Sequence, residues 1–170
     1  MTPPTGDPAP APPPVRPGDP SGPQVRLRLA TEQDLPLLAR LDERIFKEFA
    51  YPFFTLRQLM DVCGEDLLVL DDGRDLVGYV LVGTRPDRKR SWVLGLGVDE
   101  RMRGRGMGRR LMEAALDLMR AEGVVEAALT VDPENASARA LYQAFGFEQI
   151  DDRRDYFGPG QHRLIMVRPL

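Results

Sequence analysis

Cysteine, histidine and tryptophan each occur once in the 170 residues, as Cys63, His162 and Trp92. A lone cysteine excludes an intrachain disulfide, and one thiol with one imidazole leaves zinc almost without the ligands it prefers, so no metal is expected. Long apolar runs are also missing. The longest, Leu76 to Gly83, is far shorter than the ~20 residues of a membrane-spanning helix. The N-terminus has neither the basic start nor the apolar core of a secretory leader. Nor is there an excess of positive charge: 23 basic side chains stand among 26 acidic ones, for a net charge of −3, so no strongly basic face can hold a nucleic-acid backbone. These absences together predict a cytoplasmic protein that engages neither nucleic acid nor membrane.

What is abundant is proline, and it is concentrated at one end. Ten of the first 24 residues are proline, interleaved with Gly, Ala, Thr and Asp, a composition that favours extended chain and cannot bury a core. Residues 1–24 read as a disordered, solvated tail; a partner that reads proline-rich segments is the alternative. Residues 25–170 then form one domain, because 42% apolar content over this length supplies a single core.

Within that domain the pattern alternates between strand and helix. Val25, Leu27 and Leu29 alternate with arginines as in a half-buried strand. Thr31 opens a helix with Leu35, Leu38, Leu41 and Ile45 on one face, and a second helix is expected from Thr55, where Gln58 completes a capping-box spacing. Strands follow at 66–70 and 76–82 across an Asp72-Gly73 turn, then at 91–98. A long helix after a glycine-rich turn should carry Leu111, Ala115, Leu118 and Met119 inward and end at Gly123. After a strand at 125–131, Asp132 and Pro133 are placed to cap and start another helix, which stops at Gly146. Strands at 147–157 and 162–167 should form a hairpin across Gly158-Pro159-Gly160. The order is mixed α/β without internal repeats.

The chemistry concentrates between Val98 and Met112, where a strand turns through glycines into the long helix. Gly104, Gly106 and Gly108 lack the Cβ atoms that would hold a ligand off the main chain, and the helix start offers unpaired N–H groups. This is a cradle for a diphosphate, with Arg103, Arg105 and Arg109 as cationic donors around it. A nucleotide-hydrolase loop would need Gly-Lys followed by Ser or Thr, where this chain has Gly108-Arg109-Arg110. A dinucleotide fingerprint would need its glycines in the first strand–helix unit, whereas these alternate strictly and come after several strands.

The run Arg103-Gly104-Arg105-Gly106-Met107-Gly108, followed by Leu111 and Met112, resembles the Arg/Gln-x-x-Gly-x-Gly/Ala coenzyme A signature of the GNAT superfamily. A second block, Asn135-Ala-Ser-Ala-Arg-Ala-Leu141-Tyr142-Gln-Ala-Phe145-Gly146-Phe147, resembles that family's later helix, in register. The resemblance covers residues 25–167. It implies a GNAT fold: a mixed sheet of about seven strands, splayed between the fourth and fifth and flanked by about four helices. It also implies an acetyl-CoA-dependent N-acetyltransferase working by direct attack of a primary amine, with no acyl-enzyme and no metal. Leu96, Gly97 and Val98 would pair with the pantetheine arm, Asn135 would touch the coenzyme, and Tyr142 would give a proton to the departing thiolate. From the residues themselves, Gly95 and Gly97 suit a bulge with close backbone approach, and Asn135 is equally well placed as a helix cap. Cys63 reads as a small buried apolar residue.

Thr130 and Trp92 stand where related N-terminal acetyltransferases often carry a general base, and neither can serve as one. Tyr51-Pro52-Phe53-Phe54 and Asp155-Tyr156-Phe157 resemble the loops flanking the peptide groove of N-terminal acetyltransferases, including the bacterial ribosomal-protein type; simple aromatic packing beneath loops is the other reading. On this resemblance Tyr51, Pro52, Phe53 and Tyr156 are the candidate substrate contacts, in a monomer or homodimer acting on an amine-bearing peptide or small molecule. The alternatives are a small-molecule amine or lysine acetyltransferase of the same fold, and a non-catalytic acyl-CoA-sensing module.

Overall fold

The computed structural model describes residues 24–170. The proline-rich segment read as a tail over 1–24 lies outside the described residues except for Gln24.

Strand β1 (Arg26–Leu29) runs along one edge of the sheet and leads into a short 3-10 turn, Glu32–Asp34, and helix α1 (Leu35–Phe46). The Asp34 carboxylate stops the chain from fraying here: it accepts from the Thr31 amide at 2.7 Å and its hydroxyl at 2.9 Å. Arg28 donates to both oxygens of Asp34, at 2.7 and 2.8 Å, and to Asp71, so one guanidinium joins β1, the start of α1 and strand β2 (Leu67–Asp71). This pairing, with the Thr31 bonds, draws the Asp34 pKa down to about 2.

Helix α2 (Phe53–Cys63) begins two residues earlier than its capping-box spacing suggested. Pro52 precedes it with φ −53°, and the Pro52 carbonyl accepts from Thr55 and Leu56 at 2.9 and 3.1 Å, so Thr55 and Gln58 lie inside the helix. Strands β3 (Leu76–Thr84) and β4 (Arg90–Val98) follow, then α3 (Met107–Ala121), β5 (Glu126–Val131), α4 (Ala136–Ala144), β6 (Glu148–Arg153) and β7 (Arg163–Pro169). Two further expectations are corrected. Asp132 does not cap α4: its side chain accepts from Glu134 and its carbonyl from Asn135, building a turn that delays the helix, and Asn135 takes the cap by accepting from the Ala138 amide at 3.0 Å. Strand β6 ends at Arg153 rather than continuing to Phe157, because Asp155 folds the next residues into a loop by accepting from the amides of Gly158 and Gly160.

The seven strands form one sheet in the order β1-β2-β3-β4-β5-β7-β6, antiparallel throughout except for β4 and β5. Central β3 is covered on both faces, which accounts for the unbroken apolar run Leu76–Val82. Leu38, Leu41 and Leu56 of α1 and α2 bury Tyr79 and Leu81 on one face, while Leu111, Met112, Ala115, Leu116 and Met119 of α3 bury Val80 and Val82 on the other. Leu118, expected inward, is only half-buried, since the inward stripe of α3 passes through Leu116 instead.

Candidate active site

Strands β4 and β5 pair only from Arg90–Val93 against Glu126–Leu129; beyond these residues they part. The parting begins at a bulge. Leu81 opposes Gly95 while Val82 opposes Val93, so the unmatched residue is Leu94, next to the glycine pair that suggested a bulge and not within it. A cavity of about 890 Å³ opens in this gap, walled by Leu96, Gly97 and Val98 of β4, by the glycine-rich turn, and by Asn135, Leu141 and Tyr142 of α4.

At its floor the main chain enters α3 through Gly106, whose φ of 76° is left-handed and whose missing Cβ would point into open space. Among the described residues, no amide from Gly104 to Arg109 finds an acceptor, and the first to do so is that of Arg110, on the Gly106 carbonyl at 3.0 Å. Unpaired amides, a helix dipole and the side chains of Arg103 and Arg109 give this floor the donors and positive charge that suit a phosphorylated group. Arg109 lies over the Phe145 ring at 5.0 Å, while Arg103 reaches back to the Val98 carbonyl at 3.4 Å. Arg105 does not line the cavity: it sits exposed between Gly104 and Gly106, both left-handed, which turn it toward solvent.

Tyr142 is 8% exposed and meets the Phe147 ring edge-on at 6.2 Å. Its hydroxyl has no hydrogen-bond partner among the described residues, nor is it sealed in: it belongs to the cavity wall. Burial pushes its pKa up to about 12, so the phenol keeps its proton at neutral pH. Asn135 caps α4, and it also lines the same wall.

The opposite mouth is aromatic. Tyr51 and Phe49 line it from the loop between α1 and α2, with Phe46, Leu94 and Phe157. The other expected contacts lie elsewhere. Pro52 and Phe53 are taken up in starting α2, with Phe53 54% exposed, and Tyr156 turns away to stack on Phe157 at 5.0 Å and under Arg153 at 5.8 Å. Phe157 takes the place at the wall, with Arg163 over its ring at 5.0 Å. Thr130 lines the cavity, whereas Trp92 lies outside it, beneath Arg90. Cys63, at the end of α2, packs on the core and not on the cavity.

Sequence reasoning missed the group that holds this mouth in shape. Asp42 is fully buried on α1, accepts from the Tyr51 amide at 2.6 Å and is hydrogen-bonded by the Tyr79 hydroxyl. The Tyr51 hydroxyl in turn donates to the Leu94 carbonyl at the bulge, at 3.2 Å. The signal was present: Asp42 follows Leu38 by four residues and so falls on the apolar face of α1.

A sheet that parts between its only parallel pair, over a glycine-rich helix start, is matched by a sequence profile: that of the Acetyltransferase (GNAT) family fits residues 32–147. The chain belongs to the GNAT family. It is 42% identical over 89 residues to the mycothiol acetyltransferase of Beutenbergia cavernae, covering 52% of this chain and 30% of that one. It is 41% identical over 88 residues to the N-alpha-acetyltransferase RimI of Mycobacterium tuberculosis, covering 50% and 53%. This GNAT chain thus spans between about a third and about half of the length of these curated relatives. Among solved structures, the ribosomal-protein-alanine N-acetyltransferase of Brucella melitensis superposes with a TM-score of 0.71 at 27% identity, over 85% of this chain and 99% of that one.

Proposed function

We propose that the protein is an acetyl-CoA-dependent N-acetyltransferase whose acceptor is the α-amine of a peptide. The observation that carries the reading is the row of unpaired amides from Gly104 to Arg109 at the floor of the interstrand cavity. Acetyl-CoA fits that row: a diphosphate is the ligand such amides and the flanking Arg103 and Arg109 would hold, and the parted edge Leu96–Val98 has main-chain groups free for an amide-bearing arm. When bound, the coenzyme supplies an acetyl group activated as a thioester. The protein's share is to bind, orient and move protons. The floor anchors the donor, and the Tyr142 hydroxyl holds a proton at the cavity wall for a departing thiolate. No nucleophilic side chain is required, consistent with the position of Cys63 away from the cavity.

A peptide acceptor is favoured by the aromatic mouth. Phe49, Tyr51 and Phe157 present ring faces and edges, and Asp132 is the only carboxylate lining the cavity among the described residues. A polycationic small molecule would call for more acidic groups there. RimI of Mycobacterium tuberculosis, similar over half of this chain, is named for acetylation of α-amines, while the similar enzyme of Beutenbergia cavernae is named for mycothiol.

The decisive experiment incubates the full chain with acetyl-CoA and a panel of peptides with free N-termini, internal lysines, and small amines, read by mass spectrometry. Acetylation confined to peptide N-termini is the expected result. Preference for small amines would move the acceptor class, and a chain that binds acetyl-CoA without turnover on any of them would be a sensing module.

A further inference from the structure

Asp132 follows directly on β5, and its two carboxylate oxygens are differently placed. Oδ1 accepts from the Glu134 amide at 2.8 Å and so closes the turn before α4. Oδ2 has no hydrogen-bond partner among the described residues. The cation paired with it is Arg163, whose Nη1 stands 3.9 Å away, too far for a hydrogen bond. That guanidinium is committed elsewhere: Nη1 donates to the His162 carbonyl at 2.6 Å, Nη2 donates to Gln161 Oε1 at 3.2 Å, and the group lies over the Phe157 ring at 5.0 Å. The Asp132 side chain is 50% exposed, so the open oxygen can be reached, and a pair so long and so solvated holds it only weakly.

The cavity gives this oxygen its meaning. The paired stretch of β4 and β5 ends at Leu129, and Thr130, the next residue, lines the opened space. Asp132 comes two residues later, about 6.5 Å further along extended chain and on the same face. Arg163 meets it there from β7, and Phe157 beside Arg163 belongs to the aromatic mouth, so Asp132 stands between that mouth and the α4 wall. A molecule entering past Phe49, Tyr51 and Phe157 meets rings and one anionic side chain, since no other carboxylate lines the cavity among the described residues.

We infer that Asp132 Oδ2 is the docking point for the ammonium group of the acceptor, and that it selects charged amines over neutral or blocked ones. This rests on the acetyltransferase reading above and names how that site recognises its acceptor. An ammonium has N–H donors and no acceptor, and a carboxylate oxygen with open lone pairs receives one of them in a charge-assisted hydrogen bond, stronger than a bond to a neutral group. Docking moves no proton and breaks no bond. The division of labour within Asp132 follows from its geometry: Oδ1 fixes the side chain to the turn, which leaves Oδ2 aimed and free.

The test couples one change in the protein with one in the ligand. Asp132→Asn keeps an oxygen for the Glu134 amide, as does the hydroxyl of Asp132→Ser, and both remove the charged Oδ2. The ligand is the amine of the panel above that is acetylated fastest, beside its des-amino analogue, in which hydrogen replaces the amine. Calorimetry is run at about pH 7, where an α-amine with pKa about 8 is charged, on protein saturated with coenzyme A, which has no acetyl group to transfer. The wild type should bind the amine at least about 10-fold more tightly than the analogue, the scale of a hydrogen bond to a charged group. Both variants should bind the two ligands within about twofold of each other, with melting temperatures unchanged, because the coupling has lost one partner. Equal weakening of amine and analogue would mark a purely structural role for Asp132 and overturn the docking point. A preference kept in both variants, or absent from the wild type, would overturn it as well. If the fastest acceptor is a small amine, the peptide reading falls while the same comparison still decides the role of Asp132; if the wild type acetylates no amine, the acetyltransferase reading falls and takes the docking point with it.

Discussion

A phenol whose pKa is raised to about 12 by burial is a poor base and a ready proton holder, and this decides what Tyr142 can contribute. Removing only its oxygen leaves the edge-on contact with Phe147 in place. Tyr142→Phe is therefore expected to keep the Kd for acetyl-CoA and the melting temperature, and to lower kcat by about 10²-fold, the scale of a lost general acid. Calorimetry and steady-state rates check the two halves separately. Gly106 allows an equally sharp experiment at the floor. Its left-handed φ of 76° is tolerated by asparagine better than by other side chains, and a Cβ there meets nothing within 4 Å. Gly106→Asn should thus fold with α3 intact by circular dichroism and still lose acetyl-CoA binding by at least about 10-fold, because the side chain fills the space in front of the unpaired amides. Unchanged affinity would place the coenzyme elsewhere.

At the scale of the element, one residue of α4 both caps a helix and lines the cavity. Asn135 accepts from the Ala138 amide and also faces the cavity. Asn135→Ala should cost about 1 kcal/mol of stability as a lost cap. Asn135→Asp should keep the cap and the melting temperature, yet weaken acetyl-CoA binding, since the new charge would face the cavity proposed to hold the anionic coenzyme. Thermal melts and calorimetry on the pair separate the roles. The same helix shows why its start was not legible in the sequence: Asp132 and Pro133 carry the right residue types, but Asp132 is spent on a turn that its own side chain closes. Helix α2 was misjudged for the related reason that a carbonyl, that of Pro52, starts it, and carbonyls leave no trace in residue identity. The glycine-rich turn was legible because φ > 0 restricts the residue type directly. Of the loop aromatics, Tyr51 lines the cavity as expected while Phe157 lines it in place of Tyr156, because in a loop no period fixes which side chain turns inward. Asp42 was overlooked because a lone acid among leucines reads as a solvated break in a stripe, whereas here its partners Tyr51 and Tyr79 come from distant parts of the chain.

Over the whole molecule, charges pull stability in opposite directions as pH changes. Asp34 and Asp99 are held near 2 by Arg28 and Arg101, below the unfolded value of about 3.9. Their contribution is present above about pH 4 and is lost as pH falls toward 2. Asp66 works the other way. It stands before β2 against Glu122 at the end of α3, with one carboxylate oxygen buried and unpaired, and desolvation together with Glu122 raises its pKa to about 6. A folded pKa above the unfolded one means that the protonated acid stabilises the fold, so this contribution is complete below about pH 4 and disappears as pH rises through 6. From these three groups stability should therefore peak near about pH 4. Asp66→Asn keeps the shape and the neutral form at every pH, so it should raise the melting temperature by a few degrees at pH 8 and leave it unchanged at pH 4. Differential scanning calorimetry at the two pH values decides the point: an equal shift at both would assign the gain to packing and not to charge. Asp66 lies outside the cavity lining, so acetyl-CoA affinity at pH 8 should be the same in variant and wild type, which calorimetry on the two proteins checks.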